Sequence, residues 1–124
     1  MNDIKKILVV DDDESMLEFC LKILCLDGFA VVAASSGKQA VDLLKTTGFD
    51  LVLTDHVTVG AEATPIIKAV KSLQPDAPVI VMSGIPRLED AAASYLAGAD
   101  EYLAKPFSLA QLREAMGRCL QPAL

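Results

Sequence analysis

The sequence predicts a doubly wound α/β domain, a parallel sheet of five strands covered by five helices. Short runs rich in β-branched residues alternate with longer amphipathic stretches. Runs such as Ile7 to Val10 and Val79 to Met82 are apolar at every position, as strands buried on both faces must be. Size agrees: 124 residues, 52% hydrophobic and 23% charged, supply one core without a disulfide or metal staple. Residues 1–124 read as a single domain, with no linker, internal repeat or low-complexity segment.

In chain order, the strand candidates are Ile4 to Val10, Ala30 to Ala34, Asp50 to Thr54, Pro78 to Met82 and Glu101 to Leu103. Between the first two, Leu17, Cys20, Leu21 and Leu24 recur at helical spacing, with Asp13 as the cap that satisfies orphan N–H groups. Ala40, Val41 and Leu44 mark the second helix, and Ser36 with Gln39 matches a capping box. Ile66, Ile67, Val70 and Leu73 mark the third, with Thr64 as N-cap and Pro65 at the first helical position. Leu88, Ala91, Ala92 and Leu96 mark the fourth. Leu109, Leu112, Met116 and Leu120 mark the fifth, entered through a Ser108–Gln111 capping box and a Phe107–Leu112 staple. Gly28, Gly48 and Gly98 each fall where a left-handed helix cap is wanted.

Composition narrows the function. The formal charge of −6 disfavours direct nucleic-acid binding, and with aromatics at 5% and no Trp, stacking platforms are scarce. Cys20, Cys25 and Cys119 lack CxxC spacing and sit in apolar stretches, which reads as buried free thiols of a reducing cytoplasm. The apolar run Ile7 to Val10 is too short for a signal peptide, and no run approaches the roughly 20 residues of a membrane span.

Ligands of open α/β sheets bind beyond the carboxyl ends of the strands. Those ends carry Asp11, Asp12 and Asp13, then Asp55, then Ser83 and Gly84, then Lys105. Two carboxylates a few ångströms apart repel by about 4 kcal/mol at an effective dielectric near 20, so one is protonated or a divalent cation sits among them. Oxygen-only ligands in an open site favour Mg2+, which accepts phosphate oxygens as further ligands. Lys105 and Ser83 would hold a phosphoryl group by charge and hydrogen bond. No Gly-rich loop follows the first strand, so a nucleotide-binding fingerprint is lacking.

At these residues the sequence resembles the receiver domains of two-component response regulators, over essentially the whole chain. The match runs through Val9-Val10-Asp11-Asp12, Asp50 to Asp55, Val79 to Gly84, and Gly98 to Phe107 with its Lys105-Pro106-Phe107. The resemblance implies a flavodoxin-like sheet of strand order 2-1-3-4-5 and a cytoplasmic phosphoryl-accepting switch. Asp55 would take a phosphoryl group from the phosphohistidine of a sensor histidine kinase or phosphotransfer protein. Asp11, Asp12, Asp55 and the backbone carbonyl of Val57 would hold Mg2+, Asp11 mainly through water. Lys105 and Ser83 would bind the phosphoryl oxygens. Tyr102 would change rotamer as Ser83 moves, altering the surface of the fourth helix, fifth strand and fifth helix that meets a downstream protein target or output domain. Val57 and Ile85 would flank the path of the hydrolytic water, and the Lys105–Pro106 bond is typically cis in this family. Such a domain catalyses only its own phosphorylation and dephosphorylation, and neither nucleic acid nor membrane is among its direct partners.

Blander readings stand beside these: Tyr102 as a half-buried strand aromatic, Ser83 as a turn residue, His56 as a loop side chain, Val57 and Ile85 as space-filling. The sequence departs from the family in the loop after Asp55, where Thr58-Val59 replaces the usual Met-Pro and Ala63 the usual glycine. Losing the proline removes a fixed φ, which implies a more mobile loop. The rival function is a protein-interaction module on the same fold that works without phosphorylation; retention of every polar group at one sheet edge counts against it.

Overall fold

The computed structural model describes residues 4–55, 57–58, 61–84 and 88–120, with backbone alone at 57–58, 61–64 and 88–90. Five strands, β1 (Lys6–Val10), β2 (Ala30–Ala34), β3 (Leu51–Asp55), β4 (Val79–Ser83) and β5 (Glu101–Ala104), alternate with helices α1 (Glu14–Leu26), α2 (Gly37–Thr46), α3 (Ala63–Leu73), α4 (Leu88–Ala97) and α5 (Leu109–Cys119). All pairings in the sheet are parallel, in the order β2-β1-β3-β4-β5. The expected fold class and strand order are those found.

Alternation along the strands builds two cores. Leu8, Val10, Val52, Val79 and Val81 face α2 and α3 through Ala40, Leu44, Ile66, Ile67 and Val70. Ile7, Val9, Leu51, Leu53, Ile80 and Met82 face α1 and α5 through Cys20, Leu24, Leu112 and Met116. Each fully buried Ile or Leu contributes roughly 1.5–3 kcal/mol relative to exposure. None of the four residues from Ile7 to Val10 has exposed surface, because both faces of the strand are covered.

Several local expectations are corrected. β1 begins at Lys6, leaving Ile4 71% exposed ahead of it. Gly28 and Gly98 are left-handed at φ +92° and +121°, but Gly48 is not. α2 instead leaves through an extended Thr47, and its last carbonyls are satisfied by a distant side chain: the Gln74 amide donates to Leu44 O at 2.9 Å and Thr47 O at 2.6 Å. Gln74 Oε1 accepts the Phe49 N–H at 2.8 Å, so no glycine cap is needed. Ser36 caps α2 by accepting from Gln39 N–H, but Gln39 reaches back to Ser35 N–H, one residue beyond a capping box. The box at Ser108 and Gln111 is complete, and Phe107 and Leu112 share one core cluster. α3 starts at Ala63, which places Thr64 inside its first turn and Pro65 third. The first four N–H groups of a helix lack intrahelical acceptors, so the proline still costs no hydrogen bond.

The loop after Asp55 holds paired backbone: Val57–Thr58 runs antiparallel to Ala61–Glu62. Of the expected apolar stripe in α4, Ala91 turns inward but Ala92 and Leu96 do not, and the Leu88 side chain lies outside the described residues. Leu96 is 89% exposed and Ser94 is buried, because Ala91, Ser94 and Ala97 form the inward row and Leu96 lies two residues round the helix from Ser94. The expectation of buried thiols holds only for Cys20. Cys25 is exposed, and Cys119 is half-buried at the margin of the α1–α5 core. No helix among the described residues is long and apolar enough to cross a membrane.

Candidate functional site

The parallel register delivers the site. Val10 lies beside both Ala34 and Thr54, so Asp11 and Asp55 emerge next to each other where the chain reverses its winding between β1 and β3. Asp55 pairs with Met82, and Ser83 with Ala104, so Ser83 and Lys105 leave the same edge one strand further on. The Asp11 N–H donates to Ala34 O at 3.1 Å and the Lys105 N–H to Ser83 O at 2.7 Å, extending the ladders one residue into the site. Asp13 caps α1, its carboxylate accepting from Ser15 N–H at 2.9 Å. The Asp13 N–H donates to Asp11 Oδ1 at 2.9 Å, fixing that carboxylate's orientation.

Side chains converge on the same point. The Lys105 ammonium donates to Asp11 Oδ2 at 2.8 Å and to Asp55 Oδ1 at 3.1 Å. Asp11, Asp12 and Asp55 each present a carboxylate oxygen within 4.8 Å of the others, Asp11 buried, Asp55 half-buried and Asp12 exposed. Burial alone would lower the Lys105 ammonium, but the hydrogen bonds and charges of Asp11 and then Asp55 outweigh it and hold its pKa above the usual lysine value. Under the cluster, the Cys20 thiol is pushed up to about 12 by burial and next by the charge of Asp11, with Lys105 opposing. It is therefore an inert neutral group.

Other predicted residues fall in different places. Ser83 is buried at the end of β4, beside the exposed Gly84. Tyr102 lies within β5 opposite Val81, half-buried and packed against the core on the α2–α3 face. The Lys105–Pro106 bond is cis. Of Val57 only the backbone is described, and His56 and Ile85 lie outside the described residues.

Sequence reasoning missed two neighbours of the site. Phe19 on α1 stacks edge-on against Phe107, with ring centroids 6.2 Å apart, and is 37% exposed. Cys20 enters through its proximity to Asp11 and Lys105. Only the helical spacing of Cys20 was visible beforehand, and spacing alone does not say that α1 lies over the site.

Comparison with known proteins places this geometry. Residues 7–117 match the family described as "Response regulator receiver domain". The chain is 32% identical over 116 residues to the response regulator MprA of Mycolicibacterium vanbaalenii, covering 94% of this chain and 50% of that protein. It is 34% identical over 114 residues to the transcriptional regulatory protein ZraR of Escherichia coli K12, covering 92% and 26%. The chain thus spans half or less of the length of these relatives. Among solved structures, a CheY-like receiver domain protein from Methanospirillum hungatei superposes with a TM-score of 0.89 at 30% identity, covering 94% of this chain and 93% of that one. A response regulator from Burkholderia pseudomallei, solved with a phosphorylated aspartic acid, calcium ion and citrate, superposes at 0.85 and 30% identity, covering 90% and 65%. The chain belongs to the response regulator receiver domain family, the signalling domains of two-component systems.

Proposed function

We propose that this domain is a phosphoryl-accepting switch in which Asp55 is the acceptor, and the observation that carries the reading is the Lys105 ammonium bridging Asp55 and Asp11 beside the exposed Asp12. A carboxylate oxygen of Asp55 attacks the phosphorus of a kinase or phosphotransfer protein's phosphohistidine. The P–N bond breaks, the imidazole leaves with the electron pair and is protonated, and an acyl phosphate remains on Asp55. Lys105 is near enough to follow the charge from the carboxylate to the new phosphoryl oxygens, and Ser83, tied to Lys105 through its backbone, supplies a hydroxyl from the adjacent strand end. Phosphoryl transfer needs mainly such positioning and electrostatics.

The donor set fits Mg2+. Three carboxylates within 4.8 Å, one open to solvent, match a hard cation that keeps several waters. Asp12 and Asp55 would bind it directly, Asp11 mainly through water, and the Val57 carbonyl would complete the protein ligands. Hydrogen-bonded and non-bonded pairs alternate in an antiparallel ladder. The register sets Val57 opposite Glu62 and Thr58 opposite Ala61, and a Val57 outside the bonded pair would leave its carbonyl for a ligand. When bound, the cation neutralises charge on the transferring phosphoryl group.

The output follows from Ser83 and Tyr102. A new bond from the Ser83 hydroxyl to the phosphoryl group shifts the start of α4, Tyr102 turns within β5, and the α4–β5–α5 surface changes for a downstream protein or output domain. Val57 and Ile85 are both branched and apolar, cannot orient a water, and so favour a long-lived acyl phosphate. Treatment with phosphoramidate and Mg2+ followed by intact mass tests the reading. The wild type gains one phosphoryl group, EDTA prevents the gain, and an unmodified wild-type protein would leave the phosphorylation-independent interaction module as the function.

A further inference from the structure

We propose that α4 is a lever with one fixed end: Asp100 and Lys71 pin its C-terminal turn to the start of β4 and to α3, so that movement of the helix is a swing about residues 98–100. The proposal rests on the switch reading above and specifies how it reaches the surface.

Asp100 grips Val79 at two points. Its N–H donates to Val79 O at 2.8 Å, and its carboxylate accepts the Val79 N–H at 2.8 Å. The same carboxylate oxygen takes Lys71 Nζ at 3.2 Å, and that ammonium also donates to Ala77 O at 3.4 Å. The Lys71 stem passes directly under Gly98, where a Cβ would meet its Cγ at 3.0 Å and its Cε at 3.2 Å. The last turn of α4 is closed by Gly98 N–H on Tyr95 O at 3.0 Å and Ala99 N–H on Ser94 O at 2.9 Å, with Ser94 and Ala99 buried. An exposed ion pair alone is weak. Here it is joined by backbone bonds to a buried strand and by close packing of helix end on helix.

Upstream of the pin, the described side chains hold the helix lightly. Ala92, Ala93, Tyr95 and Leu96 are exposed, and Ala91 and Ala97 offer only methyl groups to the interior. Few buried apolar contacts mean a low local cost of displacement. The pin lies at the sheet edge opposite the acidic cluster, because α4 runs back along the strands. Ten residues of helix span about 15 Å, so a rotation of about 10° moves the Ser83 end by roughly 2.6 Å while residues 98–100 stay in place.

Amide hydrogen exchange by NMR tests this, on metal-free protein and with Mg2+ and beryllofluoride, for wild type, Asp100→Ala, Asp100→Asn and Lys71→Met. In metal-free protein, Asp100→Ala should speed exchange by at least about tenfold at Val79, whose N–H loses its acceptor, and also speed it at Gly98, Ala99 and Asp100 as the pin loosens. Asp100→Asn, which still offers Val79 an acceptor, and Lys71→Met, which keeps the stem, should speed it less. With beryllofluoride, the wild type should change by less than about twofold at those amides and by more at residues 91–94. Unchanged exchange in both Asp100→Ala and Lys71→Met, or equal changes along the whole helix on activation, would overturn the lever. If beryllofluoride leaves the resonances around Asp55 unmoved, the phosphoacceptor reading fails instead, and the metal-free comparison still decides the fixed end.

Discussion

The Lys105 ammonium donates to the Asp11 carboxylate at 2.8 Å across 94 residues of sequence, and the Asp11 side chain has no exposed surface. A buried carboxylate with one cationic partner among the described residues is costly to strand. Lys105→Met should therefore lower stability in metal-free buffer by about 3 kcal/mol, the low end for breaking a buried pair, since Asp13 N–H still serves Asp11. Adding Asp11→Asn should recover most of the loss. Urea denaturation of the single and double variants measures both effects, and equal stability of the single variant and wild type would contradict the pairing.

Asp12 tests the metal side of the same cluster. It is exposed, so its repulsion of the neighbouring carboxylates is partly screened, and Asp12→Ala should raise metal-free stability by no more than about 1 kcal/mol. The variant should also lose most of the stabilisation that Mg2+ gives the wild type, since a ligand stabilises only the state that binds it. Thermal melts across a Mg2+ series check this, with a less stable metal-free variant as the contrary result.

The sequence revealed the chemistry better than the supports. Asp11, Asp55, Ser83 and Lys105 were legible because strands announce themselves by continuous apolar runs and a parallel sheet aligns their ends. The missed features all depend on partners far along the chain. Gln74 closes α2 in place of a left-handed Gly48, 26 residues before it. Leu96 continues an apolar spacing, yet the helix turns Ser94 inward instead, with Ala91 and Ala97 completing the inward row of its described side chains. The paired segment after Asp55 replaces an expected loop, and no short-range pattern in Val57 to Glu62 signalled it.

Two left-handed glycines separate backbone strain from crowding. At Gly28, φ is +92° and a Cβ meets nothing within 4 Å, so Gly28→Ala should cost only the conformational strain, about 1 kcal/mol. At Gly98, φ is +121° and a Cβ would press on Lys71 at 3.0 Å, so Gly98→Ala should cost more, about 2–3 kcal/mol. Equal losses in denaturation midpoints would show that the Lys71 stem yields freely.

Alkaline pH probes the groups beneath the site. Cys20 stays protonated to about 12 when folded, against about 8.5 in an unfolded chain, and Lys105 is likewise held above its ordinary value. Both pKa values are raised by folding, so their contributions are complete below about pH 8.5 and are lost as pH climbs through the folded values. Stability should fall between roughly pH 9 and 12, and more shallowly in Cys20→Ala. Parallel wild-type and variant curves over that range would contradict the burial of Cys20 beside Asp11.

Chemical trapping decides whether Asp55 carries the phosphoryl group. The phosphorylated protein is reduced with borohydride, which converts an aspartyl phosphate to homoserine, then digested and sequenced by mass spectrometry. The account predicts homoserine at position 55, none at positions 11 or 12, and none anywhere in Asp55→Asn treated in the same way. Homoserine at another position, or an Asp55→Asn protein that still gains a phosphoryl group, would contradict it.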